Sequence, residues 1–157
     1  MINKKFLQRT KLFDNLKNRE WDELLKITQE KDFMEGDMIF SEGDASTELY
    51  MLFKGEVEIQ IKVAPQLAEI TVCVVKPNDV FGEFAFVDPK PRSASARCTK
   101  KSTLGIIKRE YFEELTGKFP NIGLSFYKSL VRLLSEKLRR MNTYLRETFI
   151  RSVGLEI

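Results

Sequence analysis

The chain has 157 residues, 43% of them hydrophobic and 31% charged, with a formal net charge of +3. That length suits one domain with a core of its own, and that composition excludes a disordered chain. No window approaches the ~18 apolar residues of a membrane span, and MINKKFLQRTKLF lacks the apolar stretch of a secretory signal.

Taken in chain order, residues 10 to about 30 read as helical. Leu12, Phe13 and Leu16, then Trp21, Leu24 and Leu25, recur at helical spacing. Residues 1–32 are therefore expected to be an N-terminal helical segment. Residues 33–107 change character. FMEGDMIFSEGD and LYMLFKGEVEIQIKV carry short apolar alternations, and EITVCVV, SASARCT and TLGII follow, separated by PND and TKKS. Short strands punctuated by Gly, Asp and Pro argue for a β-barrel or jelly roll. Pro65 in VAPQLA marks a loop between strands. From Arg109 the helical period returns, with helices expected over 109–149. KREYFEELTGKF reads as a short helix ended by Gly117, and Pro120–Asn121 opens a long one.

On the long helix, Leu124, Tyr127, Val131, Leu134, Leu138, Met141 and Leu145 form a heptad-like stripe. The bland reading is a helix packed on its own domain. Phe126, Leu130 and Leu133 supply a second apolar face, so one helix can touch the domain and a second copy together. A homodimer through residues 124–145 is the expectation. Residues 128 to 151 hold seven cations against Glu136 and Glu147, a local charge of +5. A solvated face explains this, and without a following helix-turn-helix pattern a nucleic-acid surface is not expected.

The chain has no histidine and two cysteines. This removes His-based zinc sites and every Ser–His or Cys–His nucleophile arrangement, and no paired acidic motif stands out. The expectation is a protein without enzymatic activity and without a metal. Cys73 and Cys98 fall in strand-like runs and read as buried free thiols in a reducing cytoplasm.

The stretch FGEFAFVDPKPRSASA, residues 81 to 96, is the most informative. Glu83 lies between phenylalanines, and Arg92 lies among Pro, Ser and Ala. A helical turn beginning near Gly82–Glu83 would aim free N–H groups at an anion, and Gly82 permits close approach. Arg92 can grip a phosphate with two parallel bonds, Pro89 and Pro91 stiffen its loop, and Glu83 suits a sugar hydroxyl. The competing reading is a buried Glu83–Arg92 ion pair that fastens the loop. With the glycine and the small residues, the two charges describe a sugar-phosphate pocket.

F-G-E-F-A-F-V followed by P-R-S-A-S resembles the phosphate-binding cassette of cyclic nucleotide-binding domains. These are the modules of bacterial catabolite-activator regulators, protein kinase A regulatory subunits and cyclic nucleotide-gated channels. Gly36 to Asp44 and Leu49 to Val57 resemble that family's early strands and turns, and the likeness spans about residues 10 to 148. It implies a single domain over 1–157: an eight-stranded jelly-roll barrel, an N-terminal helical segment and two C-terminal helices. Carried over by position, Glu83 would accept from the ribose 2′-hydroxyl and Arg92 would pair with the cyclic phosphate. Gly82, Ala94 and Ala85 would offer backbone groups and Ser93 a hydroxyl. Phe84 falls within the ligand-binding stretch but suits the barrel core better, as does Phe81. Met141, Asn142 and Leu145 would close over the base, with Asn142 the polar contact.

The resemblance further implies a cyclic nucleotide ligand. Ser93 leaves cGMP open, because a hydroxyl after the cassette Arg can contact a guanine amino group, but similar bacterial cAMP receptors carry Ser here for the phosphate, so cAMP is favoured over cGMP. No DNA-binding, kinase-inhibitor or channel segment accompanies the module, so it is expected to stand alone and signal to a separate, unidentified protein effector. The rival reading is a structural or oligomerising domain whose pocket is empty or filled by a protein side chain. A phosphodiesterase would need a metal or a base beside the phosphate.

Overall fold

Two strands of 13 residues organise the chain, β3 (Leu49–Ile61) and β6 (Ser95–Ile107). The computed structural model describes residues 1–64 and 68–154, and the loop expected around Pro65 falls outside them. β3 and β6 pair antiparallel from Leu49 opposite Ile107 to Gln60 opposite Ser95. β1 (Thr28–Phe33) and β2 (Met38–Phe40) pair with β6, while β4 (Ile70–Val75) and β5 (Val80–Phe81) pair with β3. All of these pairings are antiparallel.

Successive side chains of a strand point to opposite faces, and here both faces are covered. Leu49 and Met51 join one apolar cluster, whereas Tyr50 and Leu52 join the other. That double burial is why LYML is apolar without alternation. The first cluster lies under the helices: α1 (Lys4–Arg9), α2 (Asn18–Ile27), α4 (Arg109–Lys118) and the first part of α5 (Pro120–Ser152). At its centre Phe13, Phe86, Phe112 and Phe126 meet with ring centroids 4.7 to 6.4 Å apart. The second cluster is enclosed by the strands and includes Phe40, Tyr50, Val57, Phe81, Cys98 and Leu104.

Gly55 lets β3 bend against β6. It lies at φ +105, the register shifts on either side of it, and a β-carbon there would sit 2.6 Å from the Lys101 carbonyl oxygen. Only glycine tolerates both conditions.

Several expectations change. Six strands are found among the described residues where eight were expected. One reason is that Thr99–Ser102 is not a turn: it lies inside β6, where Lys100 pairs with Glu56. β1 falls within the segment read as helical. TQEKDF has no apolar alternation and is mostly exposed, and its place is set by a backbone ladder from Thr28–Ile107 to Phe33–Ser102. Leu12 and Phe13 are buried but lie in the non-helical connection between α1 and α2. α4 runs through Gly117 and ends at Lys118, just before Pro120. Both cysteines are free, but Cys73 is exposed on β4, where only Val75 is buried; Cys98 is buried.

α5 leaves the body of the fold part-way along. Ile122, Phe126 and Leu130 are buried, Leu133 and Leu134 partly so, and Ser135–Phe149 are exposed. Its base is fastened by Asp14: the Ser125 hydroxyl donates to the Asp14 carbonyl at 2.7 Å, and Arg132 pairs with the Asp14 carboxylate at 3.2 Å.

Candidate ligand-binding site

The segment after β5 turns sharply into α3 (Glu83–Val87). Gly82 makes the turn at φ +77, in the left-handed region. A β-carbon there would lie 2.9 Å from Arg92 Nη1 and 3.0 Å from the Tyr50 ring. The glycine is therefore required twice, by its conformation and by its neighbours.

Glu83 and Arg92 are both buried, 4% and 3% exposed. They are not joined to each other among the described ion pairs. Arg92 donates from Nη1 to the Gly82 carbonyl at 2.9 Å, from Nη2 to the Glu48 carbonyl at 2.8 Å, and from Nε to the Ser46 hydroxyl at 2.9 Å. Its guanidinium carbon lies 4.2 Å from the Phe40 ring centroid, a cation–π arrangement. Burial pushes the Arg92 pKa down, while Tyr50 and Glu48 work against that shift. Glu48 Oε2 lies 3.6 Å from Arg92 Nη2 and has no hydrogen-bond partner among the described residues. Tyr50 is pushed up to about 12, first by burial and then by the Glu48 charge.

Glu83 has a different partner. The ammonium of Lys137, from α5, donates to Glu83 Oε1 at 2.5 Å. The fold thus replaces the Glu83–Arg92 pair of the competing sequence reading by two separate pairings, each made with a distant element.

Beside α3 lies a cavity of about 380 Å³, lined among others by Glu83, Phe84, Ala85, Pro91, Ser93 and, from α5, Leu134. Four of the sequence-picked residues, Glu83, Phe84, Ala85 and Ser93, therefore share one cavity. Gly82, Arg92 and Ala94 adjoin it without lining it. Phe84 is 54% exposed, which corrects its assignment to the core; Phe81, at 2%, is core. Asn142 is exposed on the projecting part of α5, as are Met141 and Leu145, and none of them lines the cavity. All three stand on α5 beyond its last buried position, Leu130. Sequence reasoning missed Lys137, Glu48, Ser46 and Phe40. Lys137 was one cation among seven on a basic helix, and only the tertiary contact singles it out.

An antiparallel sheet flanked by helices, with a short helix and two buried opposite charges at a cavity edge, is the arrangement to set beside known proteins. The family model described as "Cyclic nucleotide-binding domain" matches residues 30–118, and the chain belongs to that family. A CRP-like cAMP-activated global transcriptional regulator of Mycobacterium tuberculosis is 29% identical over 94% of this chain and 63% of its own length. The cAMP-dependent protein kinase regulatory subunit of Emericella nidulans is 32% identical over 74% of this chain and 27% of its own. A cyclic nucleotide-binding domain structure from Methylobacillus flagellatus has the same fold, with a TM-score of 0.82 at 22% identity over 92% of this chain and 82% of that one. The chain spans less than two thirds of the length of these two curated relatives. Among the described residues no helix is long and apolar enough to cross a membrane, and no cluster of side chains suits a metal ion.

Proposed function

We propose that the chain binds a cyclic nucleotide, cAMP ahead of cGMP, and regulates a protein partner through movement of α5. The observation that carries this reading is the convergence of buried Glu83, buried Arg92 and the left-handed Gly82 turn beside one cavity. An isolated buried charge is costly, so two of opposite sign at one cavity edge call for a ligand or a structural purpose. A guanidinium has five N–H donors, and three of them are used on Gly82, Glu48 and Ser46. Each terminal nitrogen therefore keeps one N–H, enough for a paired contact with a phosphate. Glu83 would accept from the ribose, and Ser93 and the backbone of Gly82, Ala85 and Ala94 would complete the phosphate end. Arg92 does not line the cavity, so binding includes its uncovering.

The reading extends to a homodimer through residues 124–145. Leu124, Tyr127, Val131, Leu138, Met141 and Leu145 are all exposed by half or more, and they form one stripe. In a parallel pair the flanking positions would match Lys137 with Asn142 and Tyr144 with Phe149, which brings no like charges together. The regulatory and DNA-linked roles named for relatives enter here only as models for what α5 could transmit.

One observation favours the rival reading of a structural domain: a protein side chain, Lys137, already sits on Glu83. Calorimetric titration with cAMP and cGMP decides between them. Saturable binding supports the sensor, stronger for cAMP if the base preference holds; heat of dilution alone with both nucleotides leaves the structural domain.

A further inference from the structure

We propose that Lys137 is a displaceable latch, which holds α5 to the cassette by occupying Glu83 and which the nucleotide must expel. The inference rests on the cyclic-nucleotide reading for its ligand but on the structure for its mechanism.

Glu83 is 4% exposed, and a carboxylate so buried needs a partner. Its partner comes from 54 residues away, on an element that is otherwise leaving the fold. Along α5 the buried positions stop at Leu130, and Lys137 is the last residue with a described side-chain bond to a residue outside the helix. The base of α5 is held separately, by Asp14 and by the Phe126 and Leu130 packing. Lys137 therefore governs the helix beyond about Leu133 while leaving its base in place.

The same contact occupies Glu83 Oε1 at the edge of the cavity that Glu83 lines. In the latch, the ribose hydroxyl donates to that same oxygen and takes the place of Lys137. The exchange is feasible because the Lys137 side chain is 42% exposed, so its ammonium returns readily to water. A single carboxylate then serves two exclusive partners, one from α5 and one from the ligand. Occupancy frees the helix, and by linkage a freed helix binds the ligand more tightly. This direction is opposite to that of a lid closing over the base.

The test compares the parent chain with Lys137→Met and Lys137→Arg, titrated with cAMP, with cGMP and with 2′-deoxy-cAMP. Hydrogen exchange of the α5 amides is followed without ligand. Lys137→Met is expected to bind cAMP about five- to tenfold more tightly, a typical coupling between two exclusive events. It should gain little for the 2′-deoxy analogue, which cannot use the vacated carboxylate. Amides beyond Leu133 should exchange faster in Lys137→Met, and Lys137→Arg should resemble the parent. Weaker or unchanged cAMP binding by Lys137→Met would overturn the latch, and so would unchanged exchange in α5. If the parent and both variants bind neither cAMP nor cGMP, the nucleotide reading falls and takes the latch with it. A parent that binds beside an indifferent variant removes the latch alone.

Discussion

Arg92 donates to the carbonyl of Gly82 at 2.9 Å, and a β-carbon on Gly82 would stand 2.9 Å from that same guanidinium nitrogen. The turn and the arginine are therefore one unit, each shaped to the other. Gly82→Ala forces a side chain into the left-handed region and against Arg92 and Tyr50 at once. The expected loss is roughly 1–3 kcal/mol of stability, read by urea denaturation, with nucleotide affinity falling alongside it. A fully stable variant would mean the turn relaxes without the arginine.

Arg92→Ala is expected to damage more than binding. From the sequence, Arg92 reads as a phosphate contact or as half of a loop-fastening pair with Glu83. In the fold Arg92 satisfies the Gly82 and Glu48 carbonyls and packs on Phe40. Its removal strands buried acceptors and opens a void, so a loss of about 2–5 kcal/mol is expected in denaturant titration. Arg92→Lys should recover part of that stability but not the paired phosphate contact. An unchanged denaturation midpoint for Arg92→Ala would show that these bonds contribute nothing net.

Phe126 is fully buried where α5 meets Phe13, Phe86 and Phe112. Phe126→Ala should cost about 3–5 kcal/mol by thermal or denaturant unfolding. Because this cluster seats the base of α5, the loss should also speed hydrogen exchange along the whole helix. A cost below 1 kcal/mol would mean that the helix base packs differently.

Tyr50 should titrate at about 12, detectable as a late tyrosinate absorbance that Tyr50→Phe removes. The unfolded phenol titrates near 10, so the folded state holds this proton more firmly. The associated stability is complete below about pH 10 and is lost as pH rises toward 12. Tyr50→Phe should therefore flatten the decline in stability over that window. An absorbance titration with no component later than pH 11 would contradict the burial.

The exposed stripe of α5 is tested by Leu138→Glu. Leu138 is 55% exposed, so the change should leave the circular dichroism spectrum unaltered. If the stripe pairs two copies, light scattering should give the parent a doubled mass and the variant a single one. A parent that stays monomeric removes the dimer.

What the sequence by itself determined was local or periodic. The cassette is a contiguous string, and its short helix, glycine turn and buried charges follow from residues within reach of one another. The two faces of α5 follow from a 3.6-residue period, visible without any partner. Tertiary structure decided what depends on distant segments. β1 has no apolar pattern and exists because β6 offers it a ladder, and Thr99–Ser102 stays extended because β3 lies alongside. The partners of the two buried charges come from 54 residues away for Glu83 and from 44 and 46 residues away for two of Arg92's bonds. Charge type and spacing in a chain say that a carboxylate needs a cation; only packing says which cation reaches it. For Glu83 that cation is Lys137, at the point where α5 leaves the fold.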